Sequence, residues 1–154
     1  MTEPRIIAVD PGGTTGLAFH GFEYPPLERE QTDHLEMLSG LYELLGEHIV
    51  KDIPVTIVCE KFFITGQTSK KSRQTEALRI IGALEWMCDY SGAHFVLQPP
   101  SDAKDFASND RIRAAGLWHV GGAGHANDAA RHLLLYMVKH RMVDIAEIDA
   151  RAAR

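Results

Sequence analysis

Two short, almost uninterrupted apolar runs stand out in the first sixty residues, IIAV at 6–9 and VTIVC at 55–59, and each ends on a carboxylate, Asp10 and Glu60. Runs of this length, rich in β-branched residues and bounded by turn residues, predict strands buried on both faces. After the first run, Pro11, Gly12 and Gly13 turn the chain, and a further apolar run at 17–19 follows at hairpin-like spacing, with Thr14-Thr15 extending the loop. Pro25-Pro26 interrupts any helix, leaving 27–31 as a short polar edge strand. Leu35, Leu38, Leu41, Leu45 and Ile49 then recur at helical spacing and predict a helix over 34–50 that packs one stripe on a sheet, with Thr32 or Asp33 as its N-cap.

Beyond the second carboxylate, 61–69 reads as a loop in which Phe62, Phe63 and Ile64 are unusually apolar. Thr68 or Ser69 can cap a long helix over 70–90, whose stripe of Ala77, Ile80, Ile81, Leu84 and Cys88 is expected to face the core or a partner subunit. A strand at 94–97 follows, then a short capped helix at 101–106 carrying Lys104, and another at 110–115 capped by Asn109 and closed by Gly116. Gly121, Gly122 and Gly124 read as a flexible link into a last helix, from 125 or 126 to 142, and the tail from 144 to 154 is expected to fray. Strands separated by a helix of crossover length predict an α/β fold, and ligands of such folds bind outside the carboxyl ends of the strands. Side by side and parallel, the two runs would point Asp10 and Glu60 into one crevice.

Composition narrows the picture moderately. At 154 residues with 45% hydrophobic and 24% charged content, the chain fits one globular domain spanning 1–154. No run approaches the roughly 18 apolar residues of a membrane span. The N-terminus lacks a charged-then-apolar leader pattern, so a cytoplasmic protein is expected. Cys59 and Cys88 sit in apolar surroundings without Cys-x-x-Cys spacing, which suits buried free thiols. A net charge of −5 weighs mildly against nucleic acid, yet Lys61, Lys70, Lys71, Arg73 and Arg79 face a single acid, Glu76, between 61 and 79. Such a local excess suits a phosphate-facing surface and equally a solvated helix face.

Taken alone, Asp10 fits a turn-capping residue better than a ligand, and Asp128 fits an acid at a helix N-terminus. His125 and Asp128, three apart, project from one face of the same first turn. As a set, Asp10, Glu60, His125 and Asp128 reverse that ordering. Three carboxylates and an imidazole suit Mg²⁺ or Mn²⁺ better than structural zinc, and paired ions about 3.5–4 Å apart serve in-line phosphodiester displacement. His132, one turn beyond Asp128, could stand behind the ligands, but a place on the helix surface is the stronger expectation.

Ile-Ile-Ala-Val-Asp-Pro-Gly at 6–12, the strand-terminal Glu60 and His-Ala-Asn-Asp-Ala-Ala at 125–130 together resemble the RuvC-type Holliday junction resolvases, particularly their bacteriophage members. The resemblance runs from Ile6 to about His140. It implies a ribonuclease H-like fold, a mixed central sheet flanked by helices, and a homodimer that cuts branched DNA, chiefly four-way junctions, with two Mg²⁺ or Mn²⁺ ions per site. In that reading Asp10, Glu60 and Asp128 match the family's catalytic acids, and His125 matches the residue three before the last, either a ligand or a proton-transfer group. Lys104, in Pro-Ser-Asp-Ala-Lys, resembles a basic residue near the scissile phosphate. Phe63 is the best match to an aromatic that inserts at the junction centre, with Phe62 beside it. Arg111 and Arg113 partly match the family's basic DNA-binding segment, alongside Lys61, Lys70, Lys71 and Arg73.

Two other readings compete. Asp-Pro-Gly-Gly-Thr-Thr at 10–15 is similar to the Asp-x-Gly-Thr-Thr that follows a first strand in actin and sugar-kinase-like ATP-binding domains, but 154 residues are too few for their two duplicated domains, and no second phosphate loop is present. The same fold could also serve a junction-binding protein without catalysis, which the presence of all four candidate ligands disfavours.

Overall fold

A computed structural model describes residues 3–25, 27–66 and 74–154. The first run is strand β1 (Arg5–Asp10), buried from Ile6 onward, and it pairs antiparallel with β2 (Thr15–His20). A two-residue strand, β3 (Glu30–Gln31), pairs antiparallel with β2 and forms one edge of the sheet. On the other side, β4 (Val55–Glu60) runs parallel to β1, and β5 (His94–Gln98) runs parallel to β4, giving the order β3-β2-β1-β4-β5. The expected mixed sheet is therefore present. Val9 pairs with Cys59 and Glu60 with Gln98, so Asp10, Glu60 and Gln98 end three neighbouring parallel strands at the same edge.

Alternation along β1 sends its side chains into two different cores. Ile7 and Val9, with Leu17, Ile57 and Cys59, pack against α1 (His34–Lys51) and α2 (Gln74–Ser91). Ile6 and Ala8, with Ala18 and Val58, pack against α5 (His125–Lys139) through Ala129, Ala130, Leu133 and Met137. The alanines on both sides of this second core let the helix lie close to the sheet. A third cluster joins Leu134 of α5 to Ala107, Ile112 and Ile148, drawing in α3 (Pro100–Phe106), α4 (Asn109–Ala114) and α6 (Ile145–Ala152).

Several expectations need correction. The buried stripe of α1 is Met37, Leu41, Leu44, Leu45 and His48, whereas Leu35 and Ile49 are 78% and 58% exposed. Following leucines alone rotated the stripe away from the true contact arc, because Met37 and His48 belong to it. His48 tolerates burial through its Nδ1, 3.1 Å from the Ile53 carbonyl, and its edge-to-face packing on Phe22. On α2, Ala77, Ile80, Leu84 and Cys88 are all core residues, so this stripe is no subunit interface; Leu78, Trp86 and Tyr90 occupy the exposed side. The expected caps at Thr68 or Ser69 lie outside the described residues. Ser108, not Asn109, caps α4, and α3 begins on Pro100 without a side-chain cap.

The tail is likewise a helix rather than a frayed end. Asp144 caps α6, Ile148 is buried, and Arg111 reaches Asp149 at 2.7 and 2.9 Å. Cys59 and Cys88 are free and buried, as expected, and burial pushes the Cys88 thiol up to about 12. No described helix is long and apolar enough to cross a membrane.

Candidate active site

Asp10 closes β1, opposite Gly16 in the register of β2. The turn between them is braced by the Thr15 hydroxyl, which donates to the Gly12 carbonyl at 3.2 Å. Gly16 is where α5 meets the sheet: a β-carbon there would lie 1.9 Å from the His125 carbonyl oxygen. Only glycine lets the first turn of α5 come down onto the strand at this point. The approach carries His125 Nδ1 to 2.9 Å from Asp10 Oδ2, where its N–H donates to the carboxylate. Asp128, one turn along, completes a group whose ligand atoms all lie within 4.8 Å of one another: Asp10, His125 and Asp128.

Burial pushes the Asp10 carboxyl from its ordinary 3.8 up to about 6. The His125 hydrogen bond works against the rise, and the nearby charges of Glu60 and Asp128 add to it. A buried carboxylate crowded by two others is relieved by a cation. Carboxylate oxygens with one imidazole are donors that Mg²⁺ or Mn²⁺ accepts, so the residues present fit such an ion.

Glu60 stands beside this group rather than within it. Its Oε2 accepts from His132 Nε2 at 2.9 Å, while His132 Nδ1 lies 2.9 Å from the Gln98 side-chain oxygen. His132 is 1% exposed, so the expected surface position is wrong: it is a buried bridge from β5 to the β4 carboxylate. Asp128 has a partner too, the Arg131 Nε at 3.3 Å. That guanidinium also donates to the Ala107 carbonyl and to Asn109 Oδ1, tying Asp128 to the α3–α4 junction.

The glycine segment before α5 is held at both ends rather than loose. Asn127 bonds both the N–H and the carbonyl of His119, at 2.8 and 3.0 Å, and the Glu30 carboxylate accepts N–H groups of Ala123 and Gly124. Gln98, Arg131, His132 and Glu30 are thus the supporting residues that the sequence reading did not select. Only His132 carried a signal, its spacing of one turn from Asp128.

The remaining candidates are spread more widely. Lys104 is exposed on α3, which starts just after β5 at the carboxylate edge of the sheet. Phe62 is half-buried and Phe63 is 49% exposed, with the Lys61 ammonium 5.1 Å from the Phe63 ring centre. Arg111 pairs with Asp149 and donates to the Phe106 carbonyl at 2.6 Å, which gives it a structural task. Arg113 pairs with Asp110 at 3.3 Å and lies over the Trp118 ring, yet remains half exposed. Lys70, Lys71 and Arg73 lie outside the described residues.

No protein-family model and no curated protein sequence matches the chain. Solved structures do. RuvC of Thermus thermophilus in complex with a Holliday junction substrate aligns over 91% of this chain and 96% of its own, with a TM-score of 0.59 and 18% identity. Another Thermus thermophilus RuvC structure aligns over 90% and 96%, with a TM-score of 0.56 and 17% identity. The mixed five-stranded sheet flanked by helices is therefore the ribonuclease H-like fold of RuvC.

Proposed function

We propose that the chain is a metal-dependent, structure-selective endodeoxyribonuclease that resolves four-way DNA junctions and other branched DNA. The observation that carries this reading is the Asp10–His125–Asp128 group, with Glu60 alongside, at the carboxyl ends of β1 and β4 on a RuvC-like fold. Asp10, His125 and Asp128, with Glu60 alongside, are the residues that would hold the divalent ions. Bound divalent ions supply an activated water and neutralise charge on the phosphate. Attack on phosphorus with loss of the 3′ oxygen leaves a 5′-phosphate and a 3′-hydroxyl.

The chain's own residues do the remainder. His125, hydrogen-bonded to Asp10, serves as ligand or as the group that carries a proton at Nδ1. Lys104 would offset phosphate charge, and Phe63 would stack on an unpaired base at the branch point. Lys61 and Arg113, with Lys70, Lys71 and Arg73, would follow the backbone of the arms. Symmetric incision calls for a homodimer, and the outward face of α2 with the stacked Trp86–Tyr90 pair is the surface for it. A phage-encoded enzyme acting in the bacterial cytoplasm fits this reading.

The deciding experiment incubates the protein with labelled four-way, three-way, flap and linear DNA in Mg²⁺ or Mn²⁺. Paired symmetric cuts in the four-way junction are expected. Tight junction binding with no cleavage in either metal refutes the enzyme reading and leaves a binding protein.

A further inference from the structure

Strand β3 contributes only two residues to the sheet, yet one of them reaches the mouth of the site. Glu30 is the register partner of Gly16, which is itself the partner of Asp10. One row across three strands thus holds a candidate ligand, the gap that admits α5, and an acidic side chain. Partners in such a row share a face of the sheet. The Glu30 carboxylate accepts three backbone N–H groups at the start of α5: Ala123 at 2.8 Å on Oε2, then Gly124 at 3.0 Å and Ala126 at 3.2 Å on Oε1.

The helix needs this partner. Its N-cap residue is Gly124, at φ +96°, which has no side chain to turn back on the first turn. Unfilled N–H groups at a helix start are normally met by a local Ser, Thr, Asp or Asn. Here an anion arrives from far along the chain and also complements the positive end of the helix. Partial burial works against the Glu30 charge, but the three N–H groups hold its carboxyl below the usual range. The loop is shaped to receive it: Gly122 sits at φ +69°, and a β-carbon there would lie 2.3 Å from the Glu30 carboxylate.

We propose that Glu30 is a positioning residue for the metal site, acting through the first turn of α5 to keep His125 and Asp128 facing Asp10. It rests on the nuclease reading for its purpose, although its geometry does not. The first turn is trapped between two neighbours in the sheet, Gly16 beneath the His125 carbonyl and Glu30 at the exposed amides. Without Glu30 the contact at Gly16, the Asn127–His119 bonds and the His125–Asp10 bond remain, but the amides of Ala123, Gly124 and Ala126 lose their partner and the turn is held less firmly against tilting. A tilt of an ångström takes His125 Nδ1 out of its 2.9 Å bond with Asp10 and opens the three-residue group.

Mn²⁺ binding to DNA-free protein, followed by electron paramagnetic resonance, tests the role without cleavage as the only readout. Wild type is compared with Glu30→Ala, with Glu30→Gln, whose Oε1 still serves Gly124 and Ala126, and with Asp144→Ala, which uncaps the distant α6. Glu30→Ala should weaken Mn²⁺ binding by about tenfold or more, a common loss when support for a metal ligand is removed. Turnover should fall with it while junction affinity holds, Glu30→Gln should recover most of the loss, and Asp144→Ala should lower stability alone. Unchanged Mn²⁺ affinity in Glu30→Ala, or an equal loss in Asp144→Ala, overturns the proposal. A Glu30→Ala chain that fails to fold transfers the test to Glu30→Asp, whose shorter side chain draws the carboxylate back from the amides, where faster exchange at the Ala123 amide with weaker Mn²⁺ binding supports the role and unchanged binding overturns it. Wild type that binds Mn²⁺ but cuts no DNA refutes the nuclease reading, and the variants still decide Glu30; wild type that binds no Mn²⁺ overturns both.

Discussion

Replacing Asp10 by asparagine should make the metal-free protein more stable near neutral pH while abolishing cleavage. Burial, with Glu60 and Asp128 nearby, moves the carboxyl from 3.8 to about 6 despite the His125 hydrogen bond. At about 1.4 kcal/mol per pH unit, ionising Asp10 costs about 3 kcal/mol more in the fold than in the unfolded chain. Between 3.8 and about 6 the fold therefore binds more protons than the unfolded chain. The stabilisation from protonated Asp10 is fully present below 3.8, is lost as pH rises through about 6, and does not return above it. Asparagine keeps the shape and an oxygen for the His125 N–H, and it carries no charge to lose.

The difference between variant and wild type is the quantity to follow, because titrating groups that do not interact with Asp10 cancel from it. Urea unfolding in EDTA, read by the fluorescence of Trp86 and Trp118, should give a difference that grows from pH 4 to pH 7 towards about 3 kcal/mol. A divalent ion at about a hundred times its dissociation constant returns about 2.7 kcal/mol to wild type, and much less to a variant with a damaged site. Junction binding should survive the substitution. Parallel stability curves for the two proteins across pH 4 to 8 would refute the argument that Asp10 is strained, and a fully active Asp10→Asn enzyme would remove it from the catalytic set.

His132→Ala should destabilise the fold by about 1–3 kcal/mol, because Gln98 and Glu60 both lose their buried partner, and should cut cleavage roughly 10–100-fold with junction binding intact; chemical unfolding and single-turnover cleavage check the two parts. Phe63→Ala should leave stability unchanged and weaken junction affinity roughly tenfold, the scale of one lost base stack, measured by gel shift against linear duplex as control. Arg111→Ala should make α6 susceptible to limited proteolysis yet leave the salt dependence of junction binding unaltered; a salt slope reduced by about one would instead place Arg111 at the DNA interface.

The strands were legible, and the four candidate ligands stood out, because both carry local signals. IIAVD and VTIVCE announce buried strands by composition, and a carboxylate at the end of each is conspicuous without knowing what lies across from it. His132 was misjudged for a different reason. It begins a run with Leu133, Leu134 and Leu135 that is buried throughout, since α5 is covered by the sheet on one side and by α3, α4 and α6 on another. A helix enclosed this way has no continuous polar face, so spacing cannot separate a surface histidine from a buried one. The tail was misread because its anchor, the Arg111–Asp149 pair, joins residues 38 positions apart. Glu30 fell within the edge strand expected at 27–31, but its role left no trace, because its partners are backbone amides, which the sequence does not name.

The opening strand supplies the buried carboxylate, but α5 organises the site. It provides two of the candidate ligands, and it also provides the partner of every carboxylate there: His125 for Asp10, His132 for Glu60 and Arg131 for Asp128. Each acid is thus held in place by a donor from the same helix before any ion arrives. A small displacement of that helix changes three contacts together, whereas displacing any single ligand changes one. The residues that seat its first turn, Gly16 through the space it leaves and Glu30 through the amides it fills, therefore act on the whole site without facing the reacting phosphate. Their substitution should lower metal affinity and turnover in step, while losing a single stacking residue such as Phe63 should lower junction affinity alone.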